Sequence, residues 1–384
     1  MPLPRLGRLF PLVLAAGTLV AGKLHVLPAS DPASAIGPQA AVFGWYFVVI
    51  LACAFRASAH ADHVAHRLGE PYGTLVLTLS AISIEVAIVA AVMLSGHGHG
   101  DATIARDTMF ATLMIIMNGL VGVALLVGGW RRHEQFFNLQ SAASYLPLIV
   151  TLATVALVLP RFTNSAEGGR MGPGHQVFAA FACAAVYGGF LWLQTSRYRS
   201  FFEDQADGAP RPAEQGDADA AEEAPRSAVE AGHAAGGLAS ECAWLLASLV
   251  AVVLLAEGLG ERSTGLIERM GAPVALSGLL VAVLILTPEG LAAVRAAQRN
   301  SMQRTMNILL GSALSTIGLT VPAVLALAIV LRRDVELGLE PTELALLAGT
   351  ILVSMTTLMR GRVNPMQGVV HLTLFLTYVV LIFD

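Results

Sequence analysis

Two glutamates lie where a charge is costly. Glu85 closes the apolar run GTLVLTLSAISIE (73–85), with no basic residue three or four positions away, and Glu289 closes GLLVAVLILTPE (278–289). A charge at the centre of a membrane-spanning helix costs about 2.5–3.5 kcal/mol on insertion scales, so acids placed there are functional candidates. Thr74, Thr78 and Glu85 share one helical face, a polar stripe turned away from lipid. Thr287 and Pro288 precede Glu289. Proline has no N–H to donate and crowds the carbonyl four residues earlier, which predicts a broken helix with the Leu284 carbonyl free. Carboxylate, hydroxyl and carbonyl oxygens are the hard ligands that calcium takes. Two acids with no fixed cationic partner repel in a low dielectric, and one divalent cation or two protons would neutralise the pair. The chemistry on offer is a competition between metal ion and protons, with no nucleophile, general base or cofactor.

Thr78, Asn118, Thr287 and Ser312 are the candidates for further oxygen ligands. Asn118 (in NGLVG, 118–122) and Ser312 (in NILLGSALSTIG, 307–318) occupy matching small-residue segments, whose alternative role is close helix packing. Asp62 and Glu257, each upstream of its glutamate, are candidates for access or proton-relay acids, or else solvated interfacial carboxylates. Glu241 lies in an apolar setting without a counterpart. His60, His63 and His66 recur at helical spacing beside Asp62, and His97 and His99 flank Gly98. Such histidines can bind metal or sense pH, but at an interface they more often do neither. Cys53, Cys183 and Cys242 sit in apolar runs without zinc or redox spacing and read as small buried hydrophobes.

What must position these groups follows from composition. Of 384 residues, 55% are hydrophobic and 13% charged, about half the charge of a soluble domain. That excludes a cytosolic enzyme, a nucleic-acid binder and a disordered scaffold. The apolar stretches are continuous rather than alternating, which excludes a membrane β-barrel. Runs bounded by charge or Gly/Pro clusters predict an all-α polytopic membrane protein of about eleven helices, at 9–28, 37–56, 71–95, 107–129, 143–160, 175–195, 240–260, 272–297, 306–332, 343–360 and 367–383. The first run can also be read as a signal peptide cut near Ala-Ser-Ala (33–35). Arginines such as Arg131, Arg132, Arg197, Arg199, Arg295, Arg299 and Arg304 collect on one side if the N-terminus is cytoplasmic and the C-terminus outside; Arg332 and Arg333 dissent.

The chain divides into a first helix (1–36), a five-helix set (37–198), an acidic cytoplasmic linker (199–238) and a second five-helix set (239–384). The linker carries acids from Glu203 to Glu230 against Arg211 and Arg226, and reads as a self-repelling tether or as a cation-attracting loop. Five is odd, so the second set enters the membrane from the opposite side. This is the arithmetic of inverted-topology repeats, whose substrate sites lie near the bilayer midplane.

At these residues the chain resembles the cation–proton antiporters of the cation/calcium exchanger superfamily, in particular the bacterial calcium (sodium/potassium)–proton branch. The likeness is carried by GEPYGTLVLTLSAISIEVAIV (69–89), RDTMFATLMIIMNGLVGVALLVGGWRRHEQFFNLQ (106–140) and LTPEGLAAVRAAQRNSMQRTMNILLGSALSTIGLTVPAV (286–324). The resemblance implies an inverted pair of repeats, each giving one glutamate, Glu85 and Glu289, to a midplane cation/proton site, with Asp62 and Glu257 as accessory acids. It implies exchange of Ca2+, and of Na+ or K+ as variants, for H+ in a bacterial inner membrane. The family's Gly-Asn-x-x-Glu is replaced by Ile82-Ser83-Ile84-Glu85 and Leu286-Thr287-Pro288-Glu289. The lost amide oxygens bear on calcium selectivity.

The alternatives are a purely monovalent cation/proton antiporter, a cation channel using the same acids as a ring, and an intramembrane enzyme. The last would want an aspartate-rich phosphate–magnesium motif or a Ser/His pair, and the spans hold neither. The expected partners are membrane lipids and inorganic cations, with no nucleic acid and no cofactor; assembly into a homo-oligomer is left open.

Overall fold

The structure, a computed structural model, describes residues 3–24, 35–69, 72–95, 102–130, 134–163, 168–195, 237–332 and 334–384. Over these residues the chain forms α1 (Leu3–Lys23), α2 (Ile36–Leu68), α3 (Tyr72–Ser95), α4 (Ile104–Gly129), β1 (Gln135–Phe136), α5 (Leu139–Phe162), α6 (Pro173–Thr195), α7 (Leu238–Arg269), α8 (Ala275–Gln298), α9 (Met302–Leu331), α10 (Pro341–Leu358), β2 (Arg362–Val363) and α11 (Pro365–Leu381). Each expected span has its helix. Eight are long and apolar enough to cross a bilayer on those grounds alone, while α1, α3 and α11 carry shorter apolar stretches. Nearly all of the acidic linker, His97 and His99, and residues 25–34, where a leader would be cut, lie outside the described residues.

Charge does not end α2 and α7 where the apolar runs end. No proline follows Arg56 or Gly260 in either helix, so the backbone ladder continues to glycines with left-handed φ, Gly69 (65°) and Gly271 (63°). At 1.5 Å per residue each helix is roughly 50 Å long, well beyond a hydrocarbon core of about 30 Å, so each must tilt or project. The two pack along one another, burying Ile50, Cys53, Val252 and Leu255.

The helices exchange partners between halves. α3 lies against α7 and α9, and α8 against α2 and α4. α4 and α9 each contain a π-helical turn, Ile115–Leu120 and Thr316–Thr320. Two glycines let α8 approach α4 closely: a Cβ on Gly278 would stand 2.7 Å from the Asp107 carbonyl carbon, and one on Gly290 2.8 Å from Leu120. Contrary to the sequence expectation, α8 runs unbroken through Pro288. Thr287 Oγ1 donates to the Val283 carbonyl at 2.6 Å, the kind of local bond by which a membrane helix absorbs a proline.

The connections gather at two opposite ends. At one, β1 pairs antiparallel with β2, Gln135 opposite Val363. Gln135 Nε2 reaches the Ala297 carbonyl, and the Asn138 N–H donates to Gln303. At the other, the Glu336 N–H donates to the Ala102 carbonyl, and Arg170 Nε lies 2.9 Å from Glu336 Oε1. The α4–α5, α8–α9 and α10–α11 connections thus share one end, and α3–α4, α5–α6 and α9–α10 the other. Successive helices cross in alternating directions, and the five-helix sets run in opposite senses.

Candidate cation site

α3 and α8 deliver Glu85 and Glu289 to α9 from opposite halves. Thr316 Oγ1 donates to Glu85 Oε2 at 3.1 Å. Ser312, one turn earlier, donates its hydroxyl to Glu289 Oε2. The acids are close enough for the charge of Glu289 to act on Glu85. Glu85 is 3% exposed, and its Oε1 is buried with no hydrogen-bond partner. The hydroxyls of Thr108, Thr112 and Thr320 are also buried and unpartnered, and Thr320 adjoins Glu85. An orphaned buried oxygen costs about 1–3 kcal/mol, and a cation or a proton on Glu85 would relieve that cost at its Oε1.

A cavity of about 520 Å³ leads to this place from the β1–β2 end. Asp62, Thr78, Tyr187, Glu289, Arg304 and Ser312 are on its wall, with Asp62 and Arg304 exposed at the rim. Glu85 is not a wall residue; Ala81 and Ile84 of its helix are. Toward the opposite end α4 and α8 pack closely. There Gly278 presses on Asp107 and Thr108, and Arg106, itself buried, holds Asp107 at 2.9 Å and Glu340 at 3.5 Å.

The sequence-derived candidates divide accordingly. Glu85, Glu289, Ser312 and Thr78 converge, and Asp62 guards the mouth. Asn118 does not join them: its amide donates to Thr350 at 2.8 Å and its Oδ1 faces His371 at 3.3 Å. It also does not match Ser312, since it lies inside the first π-turn whereas Ser312 precedes the second. Thr287 binds its own helix and is absent from the cavity wall. Glu257 is exposed, about three turns before the end of α7, whereas Asp62 lies in the last two turns of α2. They are not positional equivalents.

Thr316, Thr108, Thr112 and Thr320 were not picked out from the sequence. Yet Thr108 and Thr112 follow Glu85 at the same two spacings at which Ser312 and Thr316 follow Glu289, a regularity hidden by aligning the segments on asparagine and glycine. Glu241 does have a partner: its Oε2 lies 2.6 Å from His60 Nδ1, both buried where α7 meets α2. Among the described residues no group of three or more His, Cys, Asp or Glu could hold a metal ion together, so the His60–His66 run forms no metal cluster. The three cysteines are free, Cys53 and Cys183 buried.

Paired buried acids at the crossing of two inverted repeats, within a bundle of long apolar helices, define an integral membrane protein. Residues 38–196 and 240–383 match the sodium/calcium exchanger protein family, and the chain belongs to that family. It is 36% identical to the sodium-potassium/proton antiporter ChaA of Escherichia coli strain K12 over 338 residues, 87% of this chain and 86% of that one. It is 21% identical to the Ca(2+)/H(+) antiporter ChaA of Bacillus subtilis strain 168, over 98% of both chains. The solved structure of native YfkE shares the fold, with a TM-score of 0.69 and 16% identity over 97% of this chain and 99% of that one.

Proposed function

We propose that the protein is a secondary active transporter exchanging Ca2+ for H+ by alternating access, with Glu85 and Glu289 holding either the cation or protons. The carrying observation is the convergence of both glutamates on hydroxyls of α9, with Glu289 and Ser312 on the wall of a cavity. A divalent ion between the two carboxylates cancels their charge and fills the free Glu85 oxygen. Two protons cancel the same charge, so the two occupancies compete. No step calls for a reacting centre or a cofactor, and the reading is of a transporter rather than an enzyme. The family membership and the names of the two ChaA relatives support it.

The arginine distribution favours the β1–β2 end, and the N-terminus with it, as cytoplasmic in a bacterial inner membrane, so that the cavity faces inward. Lipids and inorganic cations are then the partners. A second reading is monovalent exchange. Each acid accepts from a neutral hydroxyl of α9, a donor set of low charge, and one relative is named for sodium and potassium.

Inverted vesicles carrying a proton gradient test both readings. Adding Ca2+ collapses the gradient with a saturable rate on the first reading; Na+ or K+ does so and Ca2+ does not on the second. A non-saturating flux that runs without a gradient would indicate a channel and overturn both.

A further inference from the structure

A second buried polar group lies on the other side of α4 from the glutamates, and the transport reading leaves it unused. His371 of α11 is 0% exposed. Its Nδ1 lies 3.3 Å from Asn118 Oδ1, and its Nε2 lies 3.2 Å from Thr357 Oγ1. Asn118 in turn donates to Thr350, and Ser354, between the two threonines on α10, has a buried hydroxyl without a partner. The Asn118 oxygen only accepts, so Nδ1 must present its N–H toward α4. Thr357 can then donate to the other nitrogen. A neutral imidazole satisfies every bond, and no carboxylate belongs to the cluster.

Met117 and Asn118 are inside the α4 π-turn. A π-turn departs from the regular helical ladder and often marks a functional site. It keeps a register only where neighbouring groups hold it. Here α11 does so at close range: a Cβ on Gly122 would stand 3.0 Å from the Gly368 carbonyl oxygen. The last residue of the same turn, Leu120, bears on Gly290, next in sequence to Glu289.

We propose that His371 is a positioning residue of the cation site, a neutral imidazole that holds the α4 π-turn in register so that Leu120 seats α8 and Thr112 stays in place on α4. The proposal rests on reading Glu85 and Glu289 as the transport site. It separates holding from carrying: His371 does not bear the exchanged proton.

The test pairs His371→Leu with His371→Asn in the full-length protein. Leucine leaves the Asn118 oxygen without its donor, and raises the half-saturating Ca2+ concentration about tenfold with little change in maximal rate. Amide hydrogen exchange over 115–122 accelerates in parallel. Asparagine can donate toward α4 and accept from Thr357 but cannot carry a proton, and it restores both readouts. Thr357→Val, which removes one partner only, shifts both in the same direction by less and serves if the leucine variant does not fold. Wild-type saturation and exchange in His371→Leu would overturn the proposal. So would loss of proton coupling in His371→Asn. A wild-type protein that exchanges no cation for protons would refute the transport reading instead, while the hydrogen-exchange comparison would still decide whether His371 holds the turn.

Discussion

Glu85 and Glu289 hold corresponding places in the two halves, yet their surroundings differ. Glu289 stands on the cavity wall with Ser312, while Glu85 is sealed behind Ala81 and Ile84 with one oxygen unmatched. Both draw their hydroxyl from α9, and the corresponding hydroxyls of α4, Thr108 and Thr112, have no partner. Two repeats of one design cannot look alike where access to them differs, and the cavity described here reaches Glu289 and not Glu85. An opposite-facing conformation would exchange their roles. Inverted repeats supply such a second conformation by symmetry.

The most severe way to break this comparison is to remove the charge from either acid. Glu289→Gln and Glu85→Gln keep shape and can still accept from Ser312 or Thr316, but neither can hold a proton in exchange for a cation. Both abolish Ca2+-driven collapse of the gradient in vesicles, although only Glu289 lies on the cavity wall. Normal exchange by a folded Glu85→Gln protein would show that the buried acid is structural. Gly278→Leu acts at the end away from the cavity, where its side chain would strike the backbone at Asp107–Thr108. Overpacking of this kind costs about 1–3 kcal/mol, read as a lower midpoint of thermal unfolding in detergent, with the α4–α8 contact loosened.

The hydroxyls come next in size. Ser312→Ala and Thr316→Ala each remove a donor to a carboxylate, and a hydrogen bond to a charged group is worth about 1.5–3 kcal/mol. Each should raise the half-saturating cation concentration about tenfold or more, measured by titrating the proton response. Thr112→Val sharpens the comparison. If its hydroxyl serves Glu85 only in the opposite-facing conformation, transport falls while cation binding to the inward-open protein holds. Equal losses in both would mean that Thr112 belongs to the site in either conformation.

The eleven spans were legible because a bilayer demands long apolar runs whatever the helices later touch. The two glutamates were legible for the same reason: a charge in such a run is conspicuous. The ends of α2 and α7 were not, because charge marks where lipid stops and not where a helix stops. Pro288 misled in a related way, since its effect depends on whether Thr287 and the packed neighbours can absorb it. Asn118 was misjudged because a polar residue in a small-residue stretch looks the same on either face of its helix, and the π-turn that places it facing Thr350 and His371 leaves no periodic mark in the sequence. The pairing of His60 with Glu241 joins residues far apart in the chain, and no local pattern encodes it.

The smallest expected effect separates the two accessory acids. Asp62 stands exposed at the cavity rim with Arg304, so its own charge acts on a cation still in solution. Rim charges change association rates and their salt dependence more than affinity. Asp62→Asn should slow Ca2+-driven proton movement about two- to threefold at about 0.01 M ionic strength, where the screening length is about 30 Å, and hardly at all at 0.1 M, where it is about 10 Å. Glu257 is exposed and is not a wall residue of the cavity, and Glu257→Gln should leave the rate unchanged at both salt concentrations when the vesicles present the cavity end to the added cation. In vesicles of the opposite orientation, a salt-sensitive loss in Glu257→Gln alone would place that acid at the other mouth and give each half its own rim charge, despite their different positions along α2 and α7.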